Sequence, residues 1–157
     1  MTITLTSTAF AHGQPIPKRY TGEGEDVSPP LAWEGIPNAT RELALICDDP
    51  DAPTPEPWVH WVLYKIPTDI SRLPEGLPRE ETLERLAGAR QGYNSWSSGQ
   101  AIGYRGPMPP PKHGRHRYHF RLYALDSALN LPAGADEKQL LKEMQGHILA
   151  QGELIGT

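Results

Sequence analysis

Cysteine occurs once in the 157 residues, at Cys47. No internal disulfide can form, so nothing in the fold depends on an oxidising compartment. Long apolar runs are missing as well, and no stretch approaches the ~18 residues of a membrane-spanning helix. The opening MTITLTSTAF alternates β-branched and polar side chains without a basic start, so it reads as a strand and not as a secretory leader. A cytoplasmic protein with no transmembrane segment is the expectation. Acid is absent from Arg85 to Leu125, where seven cations fall, and Lys and Arg are absent from Glu42 to Tyr64, where five acids fall. The net charge of −4 and the lack of a long basic face argue against nucleic-acid binding.

Proline (17) and glycine (15) are what the chain has in excess, together about a fifth of it. Each interior helical proline costs about 3 kcal/mol, which excludes an all-helical bundle. Neither a repeat nor a dividing linker interrupts the sequence, so residues 1–157 read as a single domain. Thr2–Thr6 and Ile16–Thr21 are short strand candidates, and VSPPLAW (Val27–Trp33) is an extended edge strand or strand entry. LALIC (Leu43–Cys47) is a buried strand running into a turn. WVHWVLYKI (Trp58–Ile66) has apolar residues on both faces, as a central strand covered on both sides would. YHFRLYAL (Tyr118–Leu125) alternates as a half-buried strand. Pro78–Ala87 is a short helix candidate. Asp136–Ala150 is the clearer one, with Leu140, Leu141, Met144 and Ile148 as its stripe and Gly152 as its C-cap. The sum is a mainly β protein: a β-sandwich with one or two short helices.

Chemistry concentrates in three places. Asp48-Asp49-Pro50-Asp51-Ala52-Pro53 follows a strand, and its prolines hold the carboxylates in a rigid turn. Asp and Pro are ordinary turn formers, yet three acids within four residues repel, so Asp49 or Asp51 calls for a cation or histidine partner. His60 lies within an apolar strand, on the face of Val62, Tyr64 and Ile66, where burial favours the neutral ring. A lone histidine there is more often a satisfied core residue than a functional one. The third place is the proline-stiffened Gly106–Tyr118, which presents His116 and Tyr118 on one strand face. His113, His116 and His119 are spaced by three, but in a β segment His116 and His119 point to opposite faces, so no metal is expected. Ser95, Ser97 and Ser98 lack a nucleophile elbow, and Cys47 is a buried, poor nucleophile. His60, His116, Tyr118 and an Asp of the turn suit a small pocket with donors for a phosphate or carboxylate oxygen. Cations gathered in a Gly/Pro loop would raise the local potential for such a ligand, although two opposite charge runs also attract each other in any fold.

Residues 26–33 (DVSPPLAW), 49–53 (DPDAP), 58–60 (WVH) and 106–118, from Gly106-Pro107 to His116-Arg117-Tyr118, carry a resemblance. In this order they resemble the phosphatidylethanolamine-binding protein family, in its bacterial Raf-kinase-inhibitor-like branch. The resemblance implies an antiparallel Greek-key sandwich with a helix near the C-terminus. It also implies an anion-binding pocket on Asp49, Trp58, His60, Pro110, His116 and Tyr118, with Asp51 and Gly106 close by. Met108 stands where the family pattern has a small residue, which bears on pocket volume. The tail after Ile148 is too short for the long C-terminal helix of eukaryotic members, and homodimers are common in the bacterial branch. The functional expectation is a binding protein for a small anion (phosphate, a phospholipid headgroup or a carboxylate), without cofactor, with regulation of a partner as its outcome. Two alternatives stand beside it. One is an enzyme using His60 and His116 as acid and base tuned by Asp49, for hydrolysis or isomerisation. The other is an interaction module using the proline-rich loop.

Overall fold

β-branched and aromatic runs broken by Gly and Pro pair here into antiparallel sheets. The structure, a computed structural model, describes residues 2–96, 101–108 and 115–157. One sheet has three strands in the order β1 (Thr4–Thr6), β2 (Leu31–Glu34) and β5 (Arg72–Leu73). The other has six, in the order β6 (Thr82–Leu83), β7 (Ala89–Gln91), β4 (Trp58–Ile66), β3 (Glu42–Asp49), β8 (Tyr118–Leu125) and β9 (Ile148–Gly156). After β7 the chain returns across the sheet to place β8 beside β3, the Greek-key step. Leu5, Leu31, Trp33 and Leu73 of the small sheet pack against Leu43, Leu45, Trp61, Leu63, Phe120 and Leu122 of the large one. The opposite face of the large sheet buries Ala44, Ile46, Val62 and Tyr64 under Leu129, Leu131 and the helix α1 (Glu137–Met144). β3 and β4 are therefore covered on both sides, as the two-faced apolar pattern of Trp58–Ile66 requires.

Two β-bulges make that two-sided burial possible in β4. Pairing steps from Leu43↔Ile66 to Leu45↔Leu63, leaving Lys65 as an extra residue with φ of 56°. It steps again from Cys47↔Trp61 to Asp48↔Val59, leaving His60 as the second. Each extra residue shifts the alternation by one. Ile66 thereby reaches the inter-sheet core while Tyr64 keeps the helix side.

The structure corrects several element assignments. Asp136 caps α1, its side chain accepting from Gln139 N at 2.8 Å while the Gln139 side chain accepts from Asp136 N. The helix stops at Met144, and Ile148–Gly156 forms β9 instead, so Gly152 is a mid-strand residue and not a C-cap. Pro78–Ala87 is no α-helix: it holds β6 and one turn of 3-10 helix at Glu84–Leu86. Ile16–Thr21 likewise contains a 3-10 turn, Lys18–Tyr20, and no strand. In Val27–Trp33 the two prolines delay pairing until Leu31.

Candidate functional site

β3 ends, and β4 and β8 begin, at the same edge of the large sheet, where Asp49 pairs with Trp58 and Asp48 with His119. A cleft of about 270 Å³ opens there. Asp49, Trp58, His60, His116 and Tyr118 line it, together with Ala52, Pro53 and Thr54 of the β3–β4 loop and with Trp96 and Met108. Five of the eight site residues named from the sequence therefore meet in one place. Asp51 and Gly106 are not among the lining residues, and Pro110 falls outside the described residues, as does His113.

Asp49 is 3% exposed and divides its oxygens between two donors. Oδ1 accepts from the Asp51 backbone N at 2.8 Å, and Oδ2 accepts from His116 Nδ1 at 2.5 Å. A carboxylate only accepts, so His116 carries its hydrogen on Nδ1. The proline-bounded turn thus holds the carboxylate that orients His116. The partner expected for Asp49 or Asp51 exists for both, since Asp51 takes both Arg117 guanidinium arms at 2.9 Å and the Arg117 backbone N at 2.9 Å. Those bonds hold the Asp51 carboxyl down at about 2. Asp48, facing the helix side, accepts from Arg121 at 2.5 Å. The two opposite charge runs therefore neutralise each other across β3 and β8. Asp51 ties the loop to the start of β8 and does not line the cleft.

His60 is placed by its bulge and not by simple alternation, and it leaves the Val62 and Tyr64 face for the cleft. Its Nδ1 donates to the Arg105 carbonyl at 2.6 Å. Burial pushes its pKa below the ordinary histidine value, although Asp49, Asp48 and Asp26 pull the other way. Its ring lies edge-on to Tyr118 and to Trp96, with centroids 5.3 Å apart in each case. The Tyr118 phenol is pushed well up by burial and by the Asp49 charge, so it remains a donor.

Arg105 is held by Asp26, whose carboxylate is 3.1 Å from Nε and also accepts from Gly106 N at 2.6 Å. A Cβ on Gly106 would sit 2.1 Å from the Tyr20 carbonyl, so only glycine lets the chain pass there. Gly106 supports the carbonyl that positions His60. Sequence reasoning missed Trp96 and the Asp26–Arg105 pair. The signal for Trp96 was a tryptophan in a Ser/Gly-rich loop, where core packing gives it no reason to be. Met108 does line the cleft and is 59% exposed, so its thioether stands at the mouth.

Residues 6–157 match the phosphatidylethanolamine-binding protein family. The chain belongs to that family. A UPF0098 protein of Methanothermobacter thermautotrophicus is 49% identical over 152 residues, covering 97% of this chain and 95% of the relative. Among solved structures, a phosphatidylethanolamine-binding protein homologue from Chlamydia trachomatis superposes with a TM-score of 0.86 at 40% identity, covering 99% of this chain and 95% of that one. YbcL of E. coli, described as a member of the mammalian PEBP family, superposes at 0.89 with 27% identity, covering 99% and 97%. Membership agrees with the antiparallel sandwich and with a binding protein in general.

Proposed function

We propose that the cleft binds a small ligand through a phosphate or carboxylate group, with His60, His116 and Tyr118 as its polar contacts. The observation that carries this reading is the paired placement of two buried histidines beside a phenol that stays protonated, in the wall of a largely apolar cleft. A few convergent polar groups in an apolar concavity are what a small-molecule site requires. Trp58, Trp96, Pro53 and Met108 would contact the rest of the ligand. The size, about 270 Å³, suits a headgroup or small metabolite and not a polymer. Cys47 supports no covalent chemistry, since it is buried and its thiol is pushed well up.

Inorganic phosphate or phosphoethanolamine should raise the melting temperature, because a ligand that binds only the folded state stabilises it by mass action. His116→Ala should remove that gain while the fold persists. His119→Ala is the control, since His119 bonds Glu153 outside the cleft at 2.9 Å, and it should gain as much as wild type. An undiminished gain in His116→Ala would place the site elsewhere.

A further inference from the structure

We infer that a groove between α1 and the loops before β4 and after β7 docks a peptide segment of a protein partner, one that sets an arginine or lysine among apolar side chains. The groove has about 480 Å³, against about 270 Å³ for the cleft. It is a separate surface: Trp58 and Trp96 line the cleft, while their chain neighbours Val59 and Ser95 line the groove. Two large apolar side chains flank it half-exposed, Tyr93 at 47% and Leu141 of α1 at 42%. Single exposed apolar residues are ordinary, but two on one concavity, with Val59 also lining it, make a patch. The walls are held without a partner. Tyr93 N donates to Ala135 O at 3.0 Å, Ser95 N to Val59 O at 2.9 Å, and Val59 N to Ser95 Oγ at 2.7 Å. A preformed surface spares a partner the cost of ordering it.

Charge selects the partner. Glu56, Asp136 and Glu137 line the groove against a single lysine or arginine among the described residues, Lys138. Glu137 feels this crowding: burial, Asp48 and Glu56 push its carboxyl up to about 8, while Arg121 opposes them. Lys138 reaches from α1 to Glu56 at 2.8 Å, with both side chains mostly exposed at 74% and 65%. Exposed pairs of this kind contribute little, so an incoming cation displaces Lys138 from Glu56 at small cost. Lys138 thus occupies the place that a partner's arginine or lysine would take. Nucleic acid and the anionic face of a membrane would meet like charge here. A basic, apolar peptide meets opposite charge and an apolar wall together.

Calorimetric titration at low ionic strength tests this with three probes: acetyl-Leu-Arg-Leu-amide, its counterpart acetyl-Leu-Gln-Leu-amide, and arginine amide alone. The first should bind about tenfold or more tightly than either of the others, because it alone offers both features. Glu56→Gln and Leu141→Gln change exposed side chains and should each weaken it several-fold. Lys138→Gln should strengthen it, since the internal competitor for Glu56 is gone. Lys18→Gln removes the same charge from an exposed position outside the groove and should leave affinity as it was. Equal affinity for the arginine and glutamine peptides, or wild-type affinity in Leu141→Gln, would overturn docking at this groove. Arginine amide binding as tightly as the peptide would overturn it too, leaving only a site for a free cation. So would an equal gain in Lys18→Gln and Lys138→Gln, which would show a response to net charge alone. Failure of all three probes to bind would overturn the inference and leave the anion reading of the cleft untouched.

Discussion

Asp49 has two oxygens and two donors to satisfy, the Asp51 backbone N and His116 Nδ1, and it is almost wholly buried at the cleft wall. Asn at this position would offer one acceptor oxygen in place of two. Its amide nitrogen would face His116 Nδ1, so the ring either keeps a buried unpaired donor, at about 1–3 kcal/mol, or gives up the tautomer it holds in the wild type. Asp49→Asn is therefore expected to lose about 2 kcal/mol in urea unfolding and to shrink the stabilisation gained from phosphate, because His116 is no longer held. Full stability together with a full phosphate response would mean that the pair does not organise the cleft. Asp49, His116 and Tyr118 were readable from the sequence because rigid turns and strand alternation fix where such side chains point. The tautomer of His60 was not readable. It depends on the Arg105 carbonyl, 45 residues away, and on a bulge that no local pattern announces.

At the scale of elements, β4 and β8 are found at the boundaries their patterns indicate, since Pro67 and the loop before Tyr118 punctuate them. β9 was hidden because two of its four inward positions are glycine: Ala150, Gly152, Leu154 and Gly156 alternate with little apolar mass. The apolar periodicity of α1 therefore continues in the sequence as far as Ile148. Those glycines are required by neighbouring segments and not by flexibility. A Cβ on Gly152 would sit 2.3 Å from the Ile3 carbonyl, where the first strand region crosses β9. Ile3 N donates to Gln151 O at 3.0 Å at the same crossing. Gly152→Ala should push the two segments apart and cost about 1–3 kcal/mol, as overpacking does. Hydrogen exchange should show lost protection at Ile3 and in the facing part of β9. An alanine variant as stable as wild type would show that the crossing has slack.

The whole molecule places one titratable group under each face of its large sheet, and the two respond to pH in opposite senses. On the cleft side, burial holds His60 below its ordinary value near 6.5. The unfolded chain then binds the extra proton, so stability is complete above pH 6.5 and declines as the pH falls below it. On the helix side, Glu137 is pushed up to about 8 by burial and by its hydrogen bond to Asp48, while Arg121 opposes the shift. Here the folded state binds the extra proton, shared by the Asp48–Glu137 pair. That stability is complete below the ordinary carboxyl value of 4.5 and is lost as the pH rises toward about 8. Below pH ~6.5 the two slopes oppose, so wild type should lose less per pH unit there than above it, where it should lose roughly 1 kcal/mol per unit. Glu137→Gln keeps a neutral donor for Asp48 and should abolish the alkaline loss, leaving a rise toward pH ~6.5 and then a plateau. His60→Asn should do the reverse and decline throughout. Urea unfolding of the three proteins across this range decides it, and wild-type stability that stays level to pH ~8.5 would mean that Asp48 and Glu137 share no proton.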